Sequence, residues 1–191
     1  MALTFSTTAV TSGEGAQLSY KLVQARGVPG QIADLSNTRV VSGNNETGAL
    51  IAYGVPVAAN SSGVLSNSCK LATAAGAILG ISVRTSVNEK IGIPAPGAVP
   101  TYQEGVPDLK SVNILTQGTI YLELMEAVVP GDALRFHKSG TNAGKWGKSA
   151  SAGNTLALEA GGWVIRKSGS TSQVLALEVN TPAQLSFTAD N

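Results

Sequence analysis

The stretch Ser111-Val112-Asn113-Ile114-Leu115-Thr116-Gln117-Gly118-Thr119-Ile120-Tyr121-Leu122-Glu123-Leu124-Met125 decides the fold class. After Gln117-Gly118, Ile120, Leu122 and Leu124 alternate with Tyr121, Glu123 and Met125, which is the period-two pattern of a strand with one face in a core. Ser111–Leu115 reads as a strand on the other side, with Gln117-Gly118 a tight connection or a bulge. Toward the C-terminus, Val128–Asp132 is a turn leading into a strand at Ala133–His137, and Lys138–Lys148 is a Gly/Ser/Asn-rich hairpin tip around Trp146. Gly162–Arg166 and Gln173–Val179 form a terminal hairpin across Lys167–Ser172, with Leu175, Leu177 and Val179 on one face.

Toward the N-terminus, residues 91–109 carry Pro94, Pro96, Pro100 and Pro107, a density that predicts a long surface loop without regular elements. Ile78–Arg84 alternates Leu79, Ile81 and Val83 against Gly80, Ser82 and Arg84. Leu50–Ala58 is a strand in which Gly54 and Pro56 mark a bulge or an edge. Arg39–Val41 is a short strand closed by Ser42–Asn45. Only Ser68–Ala77 has helical composition, ended early by Gly76. These elements predict an all-β protein, an antiparallel β-sandwich or barrel of jelly-roll type. Residues 1–19, with Leu3 and Phe5 at period two among Thr and Ser, form an extended arm. Residues 20–191 make one β domain with a surface loop at 85–109.

Composition narrows the function. Thirteen basic and twelve acidic side chains in 191 residues leave a formal charge of +1. The charged fraction of 13% is well under the roughly 25% of ordinary globular proteins. That balance supplies no general pull toward nucleic acid or an anionic membrane. Cys69 is the single cysteine, so an intramolecular disulfide and a multi-cysteine metal site are excluded. The opening MALTFSTTAVTSGEG lacks a basic n-region and a continuous apolar h-region, and no stretch approaches the roughly 18 apolar residues of a membrane span, so synthesis in the cytosol is expected.

Catalysis has little to draw on. His137 is the only histidine, expected to be exposed or half-buried at a loop edge, and Asp132, five residues earlier, cannot be assumed to orient it. No Gly-x-Ser-x-Gly elbow occurs, and Gly13-Glu14-Gly15 and Gly161-Gly162 lack the rest of any phosphate-binding pattern. Cys69 reads as a buried structural thiol. Asp108, Asp132 and Asp190 are too dispersed for a calcium loop. A small hydrolase would need Glu123 and Glu178 to face one cleft, with carboxylates about 5–9.5 Å apart. A glycan-binding module would need an aromatic platform. Trp146 at a hairpin tip is the candidate for it, and Trp163 is the expected core anchor.

Several segments, in order, resemble the bacteriophage structural cement (capsid decoration) protein family. They are Gly27–Leu35 (GVPGQIADL), Arg39–Val41, Ile51–Val57 (IAYGVPV), Ile78–Arg84 (ILGISVR), Tyr102–Gly105 leading to Val112–Leu115, Gln117–Leu122, Val128–Leu134, Trp163–Ile165 and Val174–Val179. The resemblance covers roughly residues 20–180, and the arm 1–19 and loop 85–109 fit it loosely. It implies a noncatalytic β-protein with no cofactor and no metal, made in the host cytoplasm and placed on the outer surface of a phage head. Its implied partners are the major capsid protein, whose subunits it bridges, and itself, as a homotrimer rather than a homodimer, with no direct nucleic acid and no membrane. The expected contact residues are Leu3 and Phe5 in the arm and Pro29, Gly30, Gln31, Ile32 and Asp34 in the following turn. The alternative is a carbohydrate-binding or host-adhesion module of a virion.

Overall fold

A computed structural model describes residues 27–85, 90–91, 102–103, 105–159, 161–170, 174–179 and 185–190. The arm with Leu3 and Phe5, and most of the loop 85–109, lie outside the described residues. Those residues form sixteen strands and no helix. In chain order these are β1 (Ile32–Asn45), β2 (Ile51–Ala52), β3 (Pro56–Ala59), β4 (Ser68–Leu71), β5 (Gly76–Ala77), β6 (Gly80–Ser82), β7 (Lys90–Ile91) and β8 (Tyr102–Gln103). They continue with β9 (Gly105–Val106), β10 (Ser111–Glu123), β11 (Arg135–His137), β12 (Trp146–Gly147), β13 (Thr155–Leu158), β14 (Trp163–Lys167), β15 (Val174–Val179) and β16 (Ser186–Ala189).

The expected all-β architecture forms around β10. The main sheet has the order β1-β4-β3-β6-β10-β15-β14, and β1 also pairs with β10, so five strands close on themselves. The closing link is short and parallel, Asn44 opposite Ser68 and Asn45 opposite Cys69. At Ile114 and Leu115, β10 has β1 on one edge and β6 on the other. From Gly118 to Glu123 the second edge belongs to β15. A second sheet, β12-β11-β13-β16-β5, packs on the first, and both contribute to one hydrophobic core.

The 111–125 stretch behaves as its pattern predicts. Ile120, Leu122 and Leu124 are fully buried, while Tyr121, Glu123 and Met125 are half-buried. Gln117-Gly118 is a bulge inside one continuous strand: Arg39 opposes Gln117 and Val40 opposes Leu115, a slipped register. The terminal hairpin β14–β15 pairs as expected, with Leu175, Leu177 and Val179 in the core.

Other expectations need correction. The helical segment 68–77 is instead β4 and β5, because Cys69 is buried, Lys70 exposed and Leu71 half-buried, an alternation that suits a strand wedged between β1 and β3. The short strand 39–41 is the middle of the fourteen-residue β1. Ser42–Asn45 continue it because Gly43 marks a close approach, not a turn: a Cβ there would lie 3.0 Å from Cys69 Sγ. Leu50–Ala58 breaks at Tyr53-Gly54 into β2 and β3, and Pro56 opens an interior strand at its first residue.

In β6 and its flanks Ile81 and Val83 are buried as expected, but Leu79 is exposed and Ser82 buried. The Ser82 hydroxyl is satisfied there, donating to the Ala52 carbonyl at 2.7 Å and accepting from Val55 N–H at 3.0 Å. The Pro-rich stretch also holds regular pieces. β7 pairs with β8, and β9, fully buried, pairs with β2, so the chain returns to the core before Pro107.

Trp146, expected at a hairpin tip, is the core tryptophan, and Trp163, expected as the core anchor, only packs half-buried against the core. Trp146 is completely buried, opposite Phe136 in the β11–β12 pair, with ring centroids 5.3 Å from Phe136 and 6.2 Å from Phe187. Its indole N–H donates to the Gly54 carbonyl at 2.8 Å. Trp163 is half-buried on the outermost strand β14 and donates to the Glu159 carbonyl. The Gly/Lys-rich letters around Trp146 hide this because its partners Gly54, Phe136 and Phe187 lie outside any local window. His137, expected to be exposed or half-buried at a loop edge, is 5% exposed, and its Nε2 has no hydrogen-bond partner among the described residues.

Trp146→Ala should cost about 3–5 kcal/mol by emptying the aromatic cluster and orphaning the Gly54 carbonyl; urea denaturation should show a far larger drop than for Trp163→Ala. Burial holds the His137 pKa below its ordinary value, although Glu126 and Asp190 pull it upward. The unfolded chain therefore takes up a proton near pH ~6.5 that the folded chain refuses. Stability should fall as the pH drops below ~6.5 toward the lowered folded pKa, and His137→Asn should flatten that part of the denaturation-versus-pH curve.

Candidate functional site

The segment Pro29–Asp34 is mostly a fastener. Gln31 N–H donates to the Val28 carbonyl at 3.0 Å, closing a turn, and Gln31 Oε1 accepts from Val28 N–H. Gly30 N–H donates to the Tyr121 carbonyl at 2.8 Å, Tyr121 N–H donates to Gln31, and Arg84 N–H donates to Gly30. Gly30 has φ +77°, and a Cβ there would sit 2.7 Å from Tyr53 Cβ and 2.8 Å from Gly54 N, so only glycine fits. Gly30 is buried, Pro29 half-buried, and Ile32 packs on the core. Gln31 and Asp34 are the members of this set that reach solvent.

Immediately afterwards β1 bulges. Asp34 opposes Thr119 and Arg39 opposes Gln117, so four residues, Leu35–Thr38, are looped out across from Gly118. The Thr38 hydroxyl donates back to the Asp34 carbonyl at 2.8 Å, and Asn37 adopts φ +55°. Leu35 rides on this bulge at 82% exposure. Beneath it lies an open cleft of about 450 Å³ lined by Asp34, Asn37, Thr119, Arg166 and Glu178 among others. Arg166 and Glu178 pair there, which lowers the Glu178 pKa and raises that of Arg166. The cleft offers neither a nucleophile with a base nor an apolar floor.

At the other end of β1, three loops are tied together by carboxylates. Glu46 accepts from Val64 N–H at 2.8 Å and Leu65 N–H at 3.0 Å, bonds that lower its pKa. Asp108 accepts from Thr47 and Gly48 N–H at 3.0 and 2.9 Å. Asn45 Nδ2 donates to the carbonyls of Ala49 and Val106, and Leu109 N–H donates to Asn45. The apolar side chains on these loops point outward: Val64 is 91% exposed and Leu109 66%, with Leu65 and Leu50 exposed beside them. None of these was singled out from sequence. The available signal was a Val-Leu pair inside Asn60–Asn67 and a Leu after Pro107-Asp108, apolar letters in turn chemistry too short to be strands.

The remaining candidates for chemistry are occupied structurally. Glu123 and Glu178 share a sheet face but lie four ladder positions apart, Glu123 opposite Val174 and Thr119 opposite Glu178. That spacing is about 13 Å, outside the glycosidase range of about 5–9.5 Å, and Glu123 is paired with Lys145 at 2.9 Å. Burial tends to raise the Glu126 pKa, but hydrogen bonds from Ser149 and Lys148 outweigh it, and the net shift is downward. Asp190 binds Arg135 at 3.1 Å, Asp132 accepts from Val129 N–H, and Cys69 is buried with a raised pKa. Among the described residues no three His, Cys, Asp or Glu side chains gather to hold a metal ion. Trp146, expected as a glycan platform, exposes no ring.

The model of a family described as structural cement protein (E217 gp24/Pam3 gp6) matches residues 16–180. A search among curated proteins finds no match. Among solved structures, a chain from the capsid of Myoviridae phage XM1 is similar, with a TM-score of 0.60 and 17% sequence identity over 87% of this chain and 98% of that chain. At that identity the likeness shows a shared fold. The family match runs through every strand from β1 to β15, including the β10 ladder and the closing hairpin, and the chain belongs to the phage structural cement protein family.

Proposed function

We propose that this protein binds the outer surface of a phage head and bridges major capsid protein subunits, stabilising the mature shell. Family membership supports a structural role in the capsid. The observation that carries the finer reading is the placement of large apolar side chains, Leu35 on the bulge at one end of β1 and Val64 and Leu109 on the loops at the other, in segments fastened locally by the Thr38 hydroxyl, the Glu46 carboxylate and the Asn45 carbonyl. Apolar groups held out in water on fixed backbone are what a protein–protein contact needs, because little ordering entropy remains to be lost on docking.

In this reading Gln31 and Asp34 join Leu35 in one contact, Ile32 and Gly30 hold its backbone, and Pro29 shapes the turn. The arm, through Leu3 and Phe5, adds an extended segment to a neighbour. The protein self-associates as a homotrimer rather than a homodimer, makes no direct contact with nucleic acid or membrane, and needs no cofactor. It is made in the host cytoplasm and ends on the virion. Stabilisation requires tighter binding to the expanded lattice than to its precursor, since equal affinity for both shifts nothing. Bridging makes loss of one contact reversible while the other holds, and such multivalency can multiply single-site affinity by about 10²–10⁴. The burial of Trp146 removes the aromatic platform on which a glycan-binding reading would rest.

Deleting residues 1–15 should lower occupancy on mature heads, measured by sedimentation with labelled protein, and leave the β-sheet circular dichroism unchanged. Unaltered occupancy would remove the arm from the contact, and failure of the intact protein to bind heads would overturn the reading as a whole.

A further inference from the structure

We infer that the loop end carrying Val64, Leu65 and Leu109 is a preformed anchor that seats in an apolar recess with an acidic edge on a second capsid subunit, distinct from the subunit met by the Leu35 bulge. The inference rests on the capsid-binding reading above and gives it a second contact. Its first support is preorganisation. Glu46 pins the Val64 and Leu65 amides, Asp108 pins Thr47 and Gly48, and Leu109 itself stands at φ +57°, a conformation unfavourable for leucine. A strained, apolar, solvent-facing residue on fixed backbone contributes nothing to the core; a partner surface gives it a use.

The second support is charge. The carboxylates of this end, Glu46 and Asp108, are directed at loop N–H groups, while Lys110, next to Leu109, and Lys70, on neighbouring β4, are exposed. The two carboxylates are committed to the loops of their own chain, whereas the two exposed lysines on the same elements are left for an acidic rim to complement.

Area and spacing give the third. The exposed apolar tips amount to on the order of a few hundred Å², short of the roughly 800 Å² per partner of a stable two-body interface. A second copy of this chain in solution would be held weakly by such a patch. A lattice that engages both ends of one rigid body would not. From Arg39 to Asn44 the β1–β10 ladder interposes roughly 17 Å of paired backbone between the two ends, too far for one recess to receive both.

The test uses the full chain and expanded heads assembled without it. Val64→Ser combined with Leu109→Gly removes the apolar tips, and glycine at position 109 suits the positive φ, so the melting temperature should hold or rise. Affinity for heads should fall about tenfold or more. Lys110→Glu should weaken binding at low salt more than at high salt. Combining the tip variant with Leu35→Ser should reduce retention far beyond either change alone, as loss of both arms of a bivalent contact requires. Wild-type affinity in V64S/L109G would overturn the anchor and leave the capsid-binding reading standing. A shift of that variant to a smaller oligomer in light scattering, with head affinity unchanged per subunit, would overturn it in favour of a self-interface. Absence of head binding by the intact chain would overturn both.

Discussion

Strand β10 has two edges and three long-range partners, and the fold is the consequence. Over its first half it lies between β1 and β6 and completes a closed ring of five strands; past Gly118 one edge passes from β6 to β15. The exchange requires the backbone to turn slightly without stopping. Gly118 allows this at φ +121°, in a place where a Cβ would meet Thr38 Oγ1 at 3.0 Å. The same bulge ejects Leu35–Thr38 from β1, so the irregularity that lets the sheet branch also creates the protruding leucine. Fold and surface feature have one cause.

The scarce charge is spent on loops. Glu46, Asp108, Glu126 and Asp132 each accept hydrogen bonds from backbone N–H groups of a turn or loop. Four of twelve acidic side chains therefore act as local fasteners. Charge-assisted bonds of this kind fix loop geometry more strongly than neutral ones, which matters in a chain with 22 glycines. Glycine-rich turns would otherwise be loose, and loose loops make poor contact surfaces because ordering them opposes binding.

Much of this was legible in the letters. Period two in 120–125 and 174–179 fixed the strands and their buried faces, because a strand with one dry face imposes that alternation directly. The Pro29-Gly30 turn was visible, yet its role was not: Gly30 is glycine because Tyr53 and Gly54 press on it, and no local window contains those residues. The same limit hid Trp146. Its neighbours Gly144, Lys145, Gly147 and Lys148 are residue types common in turns and on surfaces, while its packing partners Phe136 and Phe187 lie on other strands. The 68–77 segment shows propensity losing to tertiary pairing, since Ser68–Leu71 and Gly76–Ala77 pair in sheets and the Ala-rich residues 72–75 only connect them. Of the proposed contact surface, the Pro29–Asp34 turn was readable, whereas Leu35 and the Val64/Leu109 end were not, because exposure of an apolar residue is a property of the folded loop.

Rigidity between the two ends bears on how a cement protein could tell one lattice from another. A flexible two-headed binder samples many spacings and binds a compact or an expanded shell with similar avidity, because its linker adapts to both. The β1–β10 ladder cannot adapt: its registered hydrogen bonds set the distance between the Leu35 bulge and the Glu46-pinned loops. If those ends engage neighbouring subunits, the second engagement is favourable only where the lattice spacing matches, and elsewhere each end is left with a patch too small to hold alone. Selectivity for the mature shell would then arise from the length of a strand pair, with no chemical difference between the subunits required. That is a task for which a closed β scaffold with few reactive groups is well suited.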